Sequence, residues 1–352
     1  MHYDARQHGA RQAATLEYDL VMRLLSTLLF FASVVASAEN LPINVKLLDD
    51  RIQLTIDGKP YTDFYFKGPE VTKPYLWPLR APSGTEVTRQ FPMATPPNEP
   101  HDHPHHRGLW FAHEKVNGID FWNNDASYTA PPPRGRIVLQ KITKMKSGTH
   151  AVIGVDLAWN DPDRHKLLQE SRTMIFSATN KLRIVDVNIM LTASADVTLG
   201  DAKDGTFGIR LNPLLNEDRN VKEDGKTWTI PGAPGLIVNA EGVQHEKDVW
   251  GKPSDWVDYS GVINGEKVGI AILDHPSNSR RARWHVRAYG LFAANPFGDS
   301  VFSSDKSHDG TVHLSEGQLL HFRYRVIVHP GDSASANIGK QWDEFVRSKP
   351  QS

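Results

Sequence analysis

The sequence predicts an all-β protein, a large antiparallel sandwich with one C-terminal helix. Three observations carry this. Short apolar/polar alternations recur along the chain, tight-turn dipeptides separate them, and helical spacing is convincing only near the end.

The first alternation is "RIQLTIDGKPYTDFYF", residues 51–66, in which Ile52, Leu54 and Ile56 share one face and Asp57-Gly58 marks a hairpin. "AVIGVDLAW" (151–159), "KLRIVDVNIML" (181–191), "GVINGEKVGIAIL" (261–273) and "LHFRYRVIV" (320–328) repeat the period, and Asn264-Gly265 supplies another tight turn. Half-buried strands of this kind close a core by packing sheet on sheet. In "SASANIGKQWDEFVR", Ile338, Trp342, Phe345 and Val346 fall at helical spacing behind Ser333 or Ser335 as a cap, so a helix is expected over 335–348 on the outside of the sandwich. No repeat of 20 to 50 residues is visible, which argues against a propeller or solenoid.

Residues 22–38, "MRLLSTLLFFASVVASA", read as an export signal: Arg23, an apolar run to Val35, and Ala36-Ser37-Ala38 as the cleavage site. Residues 1–21 are polar, precede a second Met, and read as the product of an early start codon. The mature chain is expected to begin at Glu39 and to form one sandwich domain over 39–352, periplasmic or secreted, with no membrane span of its own. It has no cysteine, so stability must come from core area. Lys plus Arg number 40 against 41 for Asp plus Glu, a balance that gives no general pull toward nucleic acid or anionic membrane. A small polar or neutral partner fits better.

Chemistry concentrates in "HDHPHHRGLWFAH", residues 101–113, which holds five of the sixteen histidines. Pro-rich "ATPPNEP" and "APPPRG" flank the region and stiffen its loops. Residues 107–113 alternate as a strand, and at about 3.3 Å per residue His113 lies too far from His105 to share one ion. The local metal candidates are therefore His103, His105 and His106 beside Asp102, a set suited to a first-row divalent metal. The other reading is acid/base work by His103, His106 and His113, with Arg107 stabilising negative charge. A polar network satisfying loop carbonyls would use the same residues.

A second constellation is "ILDHPSNSRRARWHVRAYGLFAANPFG". Asp274 and His275 stop an apolar strand. Arg281, Arg283, His285 and Arg287 then alternate with Ala282, Trp284, Val286 and Ala288, so one face of that strand meets water or a cleft. Asn295 begins a loop that can return to the same place. Neither G-x-S-x-G nor H-E-x-x-H occurs.

Together "YLWPLRAPSGTEVTRQFP", "DHPHHRGLWFAHEKVNGIDFW", "GTFGIRL", "WVDYSG", "AILDHPSN" and "RWHVRAYGLFAANPFG" resemble a secreted bacterial family that carries the label PmoA, or methane oxygenase, from about Tyr75 to His329. The resemblance implies a sandwich of the galactose-mutarotase type and a link to sugar catabolism. A particulate methane oxygenase subunit needs several spans of about 20 apolar residues, so for this chain the label implies at most a soluble copper or iron site at His103, His105 and His106.

Three functions follow. The first is a carbohydrate-active enzyme of epimerase, lyase or hydrolase type, the second a metal-dependent oxidoreductase, and the third a non-catalytic sugar-binding module. The first is preferred, because a pure binder needs aromatics and amides more than histidines. One cleft is expected to unite His103, His106, Arg107 and His113 with Asp274, His275 and His285 for proton transfer. Arg80, Trp110, Asp120, Arg283, Arg287 and Asn295 are expected to bind the sugar, with Trp110 or a nearby aromatic as its platform.

Overall fold

The alternating runs become strands of two antiparallel eight-stranded sheets in the computed structural model, which describes residues 39–97, 99–305 and 307–349. The expected export signal lies outside the described residues. Strands β1 (Ile43–Leu47), β2 (Arg51–Ile56), β3 (Lys59–Tyr65), β4 (Tyr75–Trp77) and β5 (Leu109–His113) pair in sequence. The chain then builds β6 (Arg136–Lys146), β7 (His150–Asn160), β8 (Lys166–Ala178) and β9 (Arg183–Ala193) in the second sheet.

After β10 (Val197–Leu199), the chain returns as β11 (Gly205–Arg210), which pairs with β5. A separate hairpin follows, β12 (Asn220–Glu223) with β13 (Lys226–Thr229). Strand β14 (Leu236–Asn239), the single turn α1 (Glu246–Val249), β15 (Trp256–Ile263) and β16 (Glu266–Asp274) lead back into the second sheet. Strands β17 (Arg283–Val286) and β18 (Leu291–Asn295) complete the first. The short α2 (Asp299–Phe302) and β19 (Val312–Leu314), which pairs with β10, precede β20 (Leu319–Pro330), and the helix α3 (Ile338–Arg347) ends the fold.

The first sheet runs β1-β2-β3-β4-β5-β11-β18-β17, and the second runs β14-β15-β16-β20-β9-β8-β7-β6. Both anticipated turns form, with positive φ at Asp57 and Asn264.

Aromatic rings fix the inner faces. Phe111 and Phe207, directly opposed on β5 and β11, meet Trp159 and Tyr324 of the second sheet at 5.9 and 4.5 Å between centroids. Because strand side chains alternate, Trp110, Gly208 and Arg210 then point away from the core. On the same logic β17 buries Trp284 and Val286 inward and turns His285 outward, beside Ala293.

Helix α3 lays Ile338 and Phe345 on Ala271, Leu273 and Ile327, on the outer face of the second sheet. It starts at 338 instead of 335 because Asp332 and Ser335 close their own turn: the Ser335 N–H donates to Asp332 Oδ1 at 2.8 Å and the Asp332 N–H to Ser335 Oγ at 2.9 Å. Asn337, left-handed at φ 53°, takes the N-cap position without a side-chain cap bond. No helix among the described residues is long and apolar enough to cross a membrane.

Candidate functional site

The 78–108 loop folds back over the outer face of the first sheet. It re-enters β5 through Gly108, at φ +55°, where a Cβ would lie 2.1 Å from the Leu76 carbonyl oxygen. Only glycine makes that entry. Directly opposite Trp110, a Cβ at Gly208 would lie 2.6 Å from the edge of Trp122, so its absence lets the two indoles pack.

On this floor stands a column of rings. His106 stacks on Trp110 (5.2 Å, 18°), His103 on His106 (4.8 Å, 4°), and Tyr289 on the other face of His103 (5.6 Å, 9°). His105 meets His106 edge-on at 4.3 Å and shares a hydrogen bond with the Tyr128 hydroxyl at 3.1 Å. His106 is buried, whereas the His103 side chain is 44 % exposed.

His103 is held against its own backbone preference. It sits at φ +47° immediately before Pro104, a combination that sterics disfavour. The His106 N–H bonds its carbonyl at 3.0 Å, and Asp102 Oδ2 holds its Nδ1 at 2.5 Å. Two buried guanidiniums then pin Asp102, Arg89 at 2.7 Å and Arg210 at 2.9 Å, and Arg89 also donates to the His103 carbonyl at 2.9 Å. Strain kept in place by so many bonds is typical of functional sites.

Electrostatics follow from this packing. Burial pushes the Asp102 carboxyl up, but the His103 bond and the charges of Arg210 and Arg89 outweigh it and hold it well below the usual carboxylate range. Burial, then Arg210, brings Arg89 down to about 9. Burial and neighbouring cations hold His105 and His106 well below the ordinary imidazole value, so both are neutral at pH 7. Since Arg210 Nη1 faces His106 Nδ1 at 3.3 Å, the His106 proton sits on Nε2. The Nε2 atoms of His105 and His106, Trp110 Nε1 and Arg107 Nε are all buried without a protein partner.

The opposite wall carries Asp204. Asn295 fixes its loop by donating to the Ala202 and Lys203 carbonyls at 2.9 and 2.8 Å, while the Phe297 N–H returns to Asn295 Oδ1. Asp204 lies 3.6 Å from His285 Nδ1 and is hydrogen-bonded by Asn123. Burial, reinforced by the Asp120 carboxylate, raises its pKa against the opposing charges of Lys203 and His103. Glu114 is raised too, by burial and then Asp204. Burial, Lys203 and Arg287 bring His285 down to about 3.

Of the seven residues expected to share one cleft, four lie on one sheet face. His103, His106 and Arg107 share the outer face of the first sheet with His285, which is reached through Asp204. Arg107 is tied to Asp125 at 3.2 Å and Glu70 at 3.6 Å. His113 does not join them. Its ring turns inward onto Phe297, its Nε2 bonds the Gly200 carbonyl at 2.8 Å, and burial pushes it down to about 4.

Asp274 and His275 belong to the second sheet. Asp274 is consumed by Asn278, Arg281 and the Ala282 N–H, and His275 by Arg323 at 2.8 Å, with its ring against Phe345 of α3. Strand ends of the two sheets carry similar residues for different reasons.

Among the expected sugar contacts, Trp110 cannot be an open platform, because it is 1 % exposed between His106 and Trp122. Tyr289, at the end of the column, is partly exposed, with His103 stacked on it and the Arg210 and Arg287 guanidiniums 4.5 and 5.5 Å from its ring centre. Asp120 shapes its own turn by accepting the N–H groups of Trp122 and Asn123, Asn295 serves the Asp204 loop, and Arg80 is paired with Glu86 at 2.8 Å. Arg283 is engaged with Asp299 at 2.8 Å. Arg287 reaches the rim, over Tyr289 at 5.5 Å.

The metal triad is not assembled. Asp102 takes His103 Nδ1, the His103 and His106 rings are parallel, and Arg89, Arg210 and Lys73 make the surroundings cationic. Among the described residues, the group of His and carboxylate ligands close enough for one ion is Asp161, Asp163 and His165, on the turn between β7 and β8.

Sequence reasoning did not single out Arg89, Arg210, Asp204, Tyr289 or Lys73. Lys73 is buried under Trp110, donates to the Trp122 carbonyl at 2.8 Å and Asn124 Oδ1 at 2.5 Å, and is brought down to about 7 by burial and Arg107. The signal for Arg210 was a charge inside the apolar strand "GTFGIRL". Asp204 gave none.

A model described as a family of unknown function, DUF6807, matches residues 51–343. The chain belongs to this family. The DUF6807 match covers every strand but β1 and every residue of the column. No curated protein matches the sequence.

Similar solved structures include an α-galactosidase from Lactobacillus brevis (11 % identity, TM-score 0.38, covering 84 % of this chain and 40 % of that one). Another is the galactosidase domain of the α-galactosidase-sucrose kinase AgaSK (7 %, 0.40, 83 % and 42 %). A third is a galactose mutarotase related enzyme from Lactobacillus acidophilus (10 %, 0.33, 82 % and 97 %). The chain spans about two fifths of the length of the two galactosidases.

Proposed function

We propose that this DUF6807 member is an exported carbohydrate-active enzyme of epimerase, lyase or hydrolase type, working by acid/base chemistry on the outer face of its first sheet. One observation carries the reading. A solvent-reachable imidazole, His103, is oriented by the arginine-backed Asp102, and the carboxyl of Asp204, held above its ordinary pKa, belongs to the same face. Such a pair can take a proton from one side of a sugar and return one to the other, leaving the enzyme's proton count unchanged over a turnover. The partly exposed Tyr289 lines this position, and Asn123 and the rim of Arg287 offer hydroxyl contacts. The geometry gives the PmoA label's copper or iron site no support, because the three imidazoles pack ring against ring without bringing their nitrogens close enough for one ion.

The test is ¹H NMR of neutral sugars with the purified protein in D₂O, following anomer exchange, deuterium incorporation and bond cleavage. His103→Ala and Asp204→Asn should each lower turnover at least about 100-fold, with unchanged melting temperature. Wild-type protein inert on every sugar, or variants that keep full activity, would sink the proposal.

Export is the second component. Residues 22–38 are proposed to direct secretion with cleavage after Ala38. N-terminal sequencing of periplasmic or culture-fluid protein should then begin at Glu39, and retention of residues 1–20 would refute it.

A further inference from the structure

Beyond the column lies a shallow, open depression of about 550 Å³ lined by Glu217, His245, Glu246, Lys247 and Trp250. Two chains of contact join it to the proposed proton-transfer residues. Along one wall, Glu246 holds Arg287 at 3.1 Å, Arg287 lies over Tyr289 at 5.5 Å, and Tyr289 stacks on His103. Along the other, Trp250 meets Phe302 at 5.1 Å, Phe302 meets His285 at 5.8 Å, and His285 lies 3.6 Å from Asp204. The first path runs over the partly exposed Arg287 and Tyr289, so the depression borders the same face, while the second runs through the buried Phe302 and His285 beneath it.

Its chemistry is that of a sugar subsite. Trp250 is partly buried and supplies an indole face, and its Nε1 is buried without a protein partner. Both carboxylates are anchored: Glu217 binds His245 and accepts the Glu246 N–H at 2.8 Å, while Glu246 is ion-paired with Arg287 and accepts the Ala288 N–H. Carboxylates anchored in this way present spare lone pairs to hydroxyl donors, and with Lys247 and Arg287 beside them the charges of the lining balance, which suits a neutral ligand.

We infer that the substrate is a neutral oligosaccharide whose second residue stacks on Trp250 in this depression while the first lies between His103 and Asp204. The inference rests on the sugar-processing reading of that first position. An indole platform supplies much of the affinity at a site of this kind, so a chain of two or more residues should bind more tightly than its monosaccharide.

Titration calorimetry should compare neutral di- and tetrasaccharides of glucose, galactose and mannose with the matching methyl monosaccharides. The wild type should prefer the longer ligand at least tenfold. Trp250→Ala should abolish that preference, Trp250→Phe should keep most of it, and Glu217→Gln, which leaves the ring in place, should reduce it. Equal affinity for both lengths, or a Trp250→Ala protein that still prefers the longer ligand, overturns the inference. If the wild type binds no neutral sugar of either length, the sugar-processing reading itself has failed.

Discussion

Lowering the pH from 7 to 5 should remove a large part of the protein's stability. His105, His106, His113 and His285 are buried and neutral, their pKa values held down by burial first and by nearby cations second. The unfolded chain regains ordinary imidazoles that titrate near 6.5. Below that pH, and down to the folded values, the unfolded state binds more protons, so stability falls as pH falls. Each imidazole contributes at most about 1.4 kcal/mol per pH unit and about 2 kcal/mol over this window, so the four together remove roughly 8 kcal/mol. A protein of ordinary stability holds only about 5–15 kcal/mol. The raised carboxyls of Asp204, Glu114 and Asp274 act in the opposite sense, but near the carboxylate range, below most of this window. Tryptophan fluorescence in urea, read from pH 7.5 to 5, gives the slope directly. A midpoint that does not move between pH 7 and 5 would mean that these histidines are solvated.

The second large effect concerns Asp258 and His329. Both side chains are fully buried, with His329 Nε2 2.6 Å from Asp258 Oδ2, on strands β15 and β20 either side of β16. Gly269 of β16 makes the room, since a Cβ there would lie 2.3 Å from the His329 ring. Burial alone would lower the imidazole, yet the charge and hydrogen bond of Asp258 outweigh it and raise His329. Replacing His329 with Ala strands a buried carboxylate whose Oδ1 already has no partner, and should cost about 3–5 kcal/mol. Asp258→Ala should cost a similar amount, and the double variant distinctly less than the sum. Denaturant midpoints check all three, and single losses under about 1 kcal/mol would refute an ionic staple. With its raised pKa, His329 contributes stability fully below about pH 6.5 and loses it as pH rises through the folded value, opposite in sign to the four neutral histidines.

Local pattern explains which parts of the molecule could be read in advance. Alternation at Ile52, Leu54 and Ile56, the Asp57-Gly58 turn and the spacing of Ile338 and Phe345 are each determined within a few residues, so strands, hairpin and helix were legible. The density of histidine around His103 and His106 was equally local. Asp274 and His275 were misassigned because a strand end that satisfies its own backbone and a strand end that binds a ligand use the same residue types. Arg210 and Asp204 reach the site through the pairing of β5 with β11, roughly a hundred positions apart, and no local signal marks such a partner. Trp110 was recognised as important, but its role as a covered floor depends on His106 folding back and on the missing side chain at Gly208.

That pairing of distant strands also sets when the site can appear. Its residues run from Arg89 to Tyr289, and β11 must be inserted between β5 and β18 before Arg210 can reach Asp102. Contacts of such long separation form slowly, because loop-closure entropy is lost before they give anything back. A nascent chain released before β18 therefore carries the whole histidine segment with nothing to hold it, exposing Trp110, Phe111 and the edge of β5 to other chains. The proposed site is therefore among the last features of the first sheet to assemble, and its formation reports that β11 has been inserted between β5 and β18.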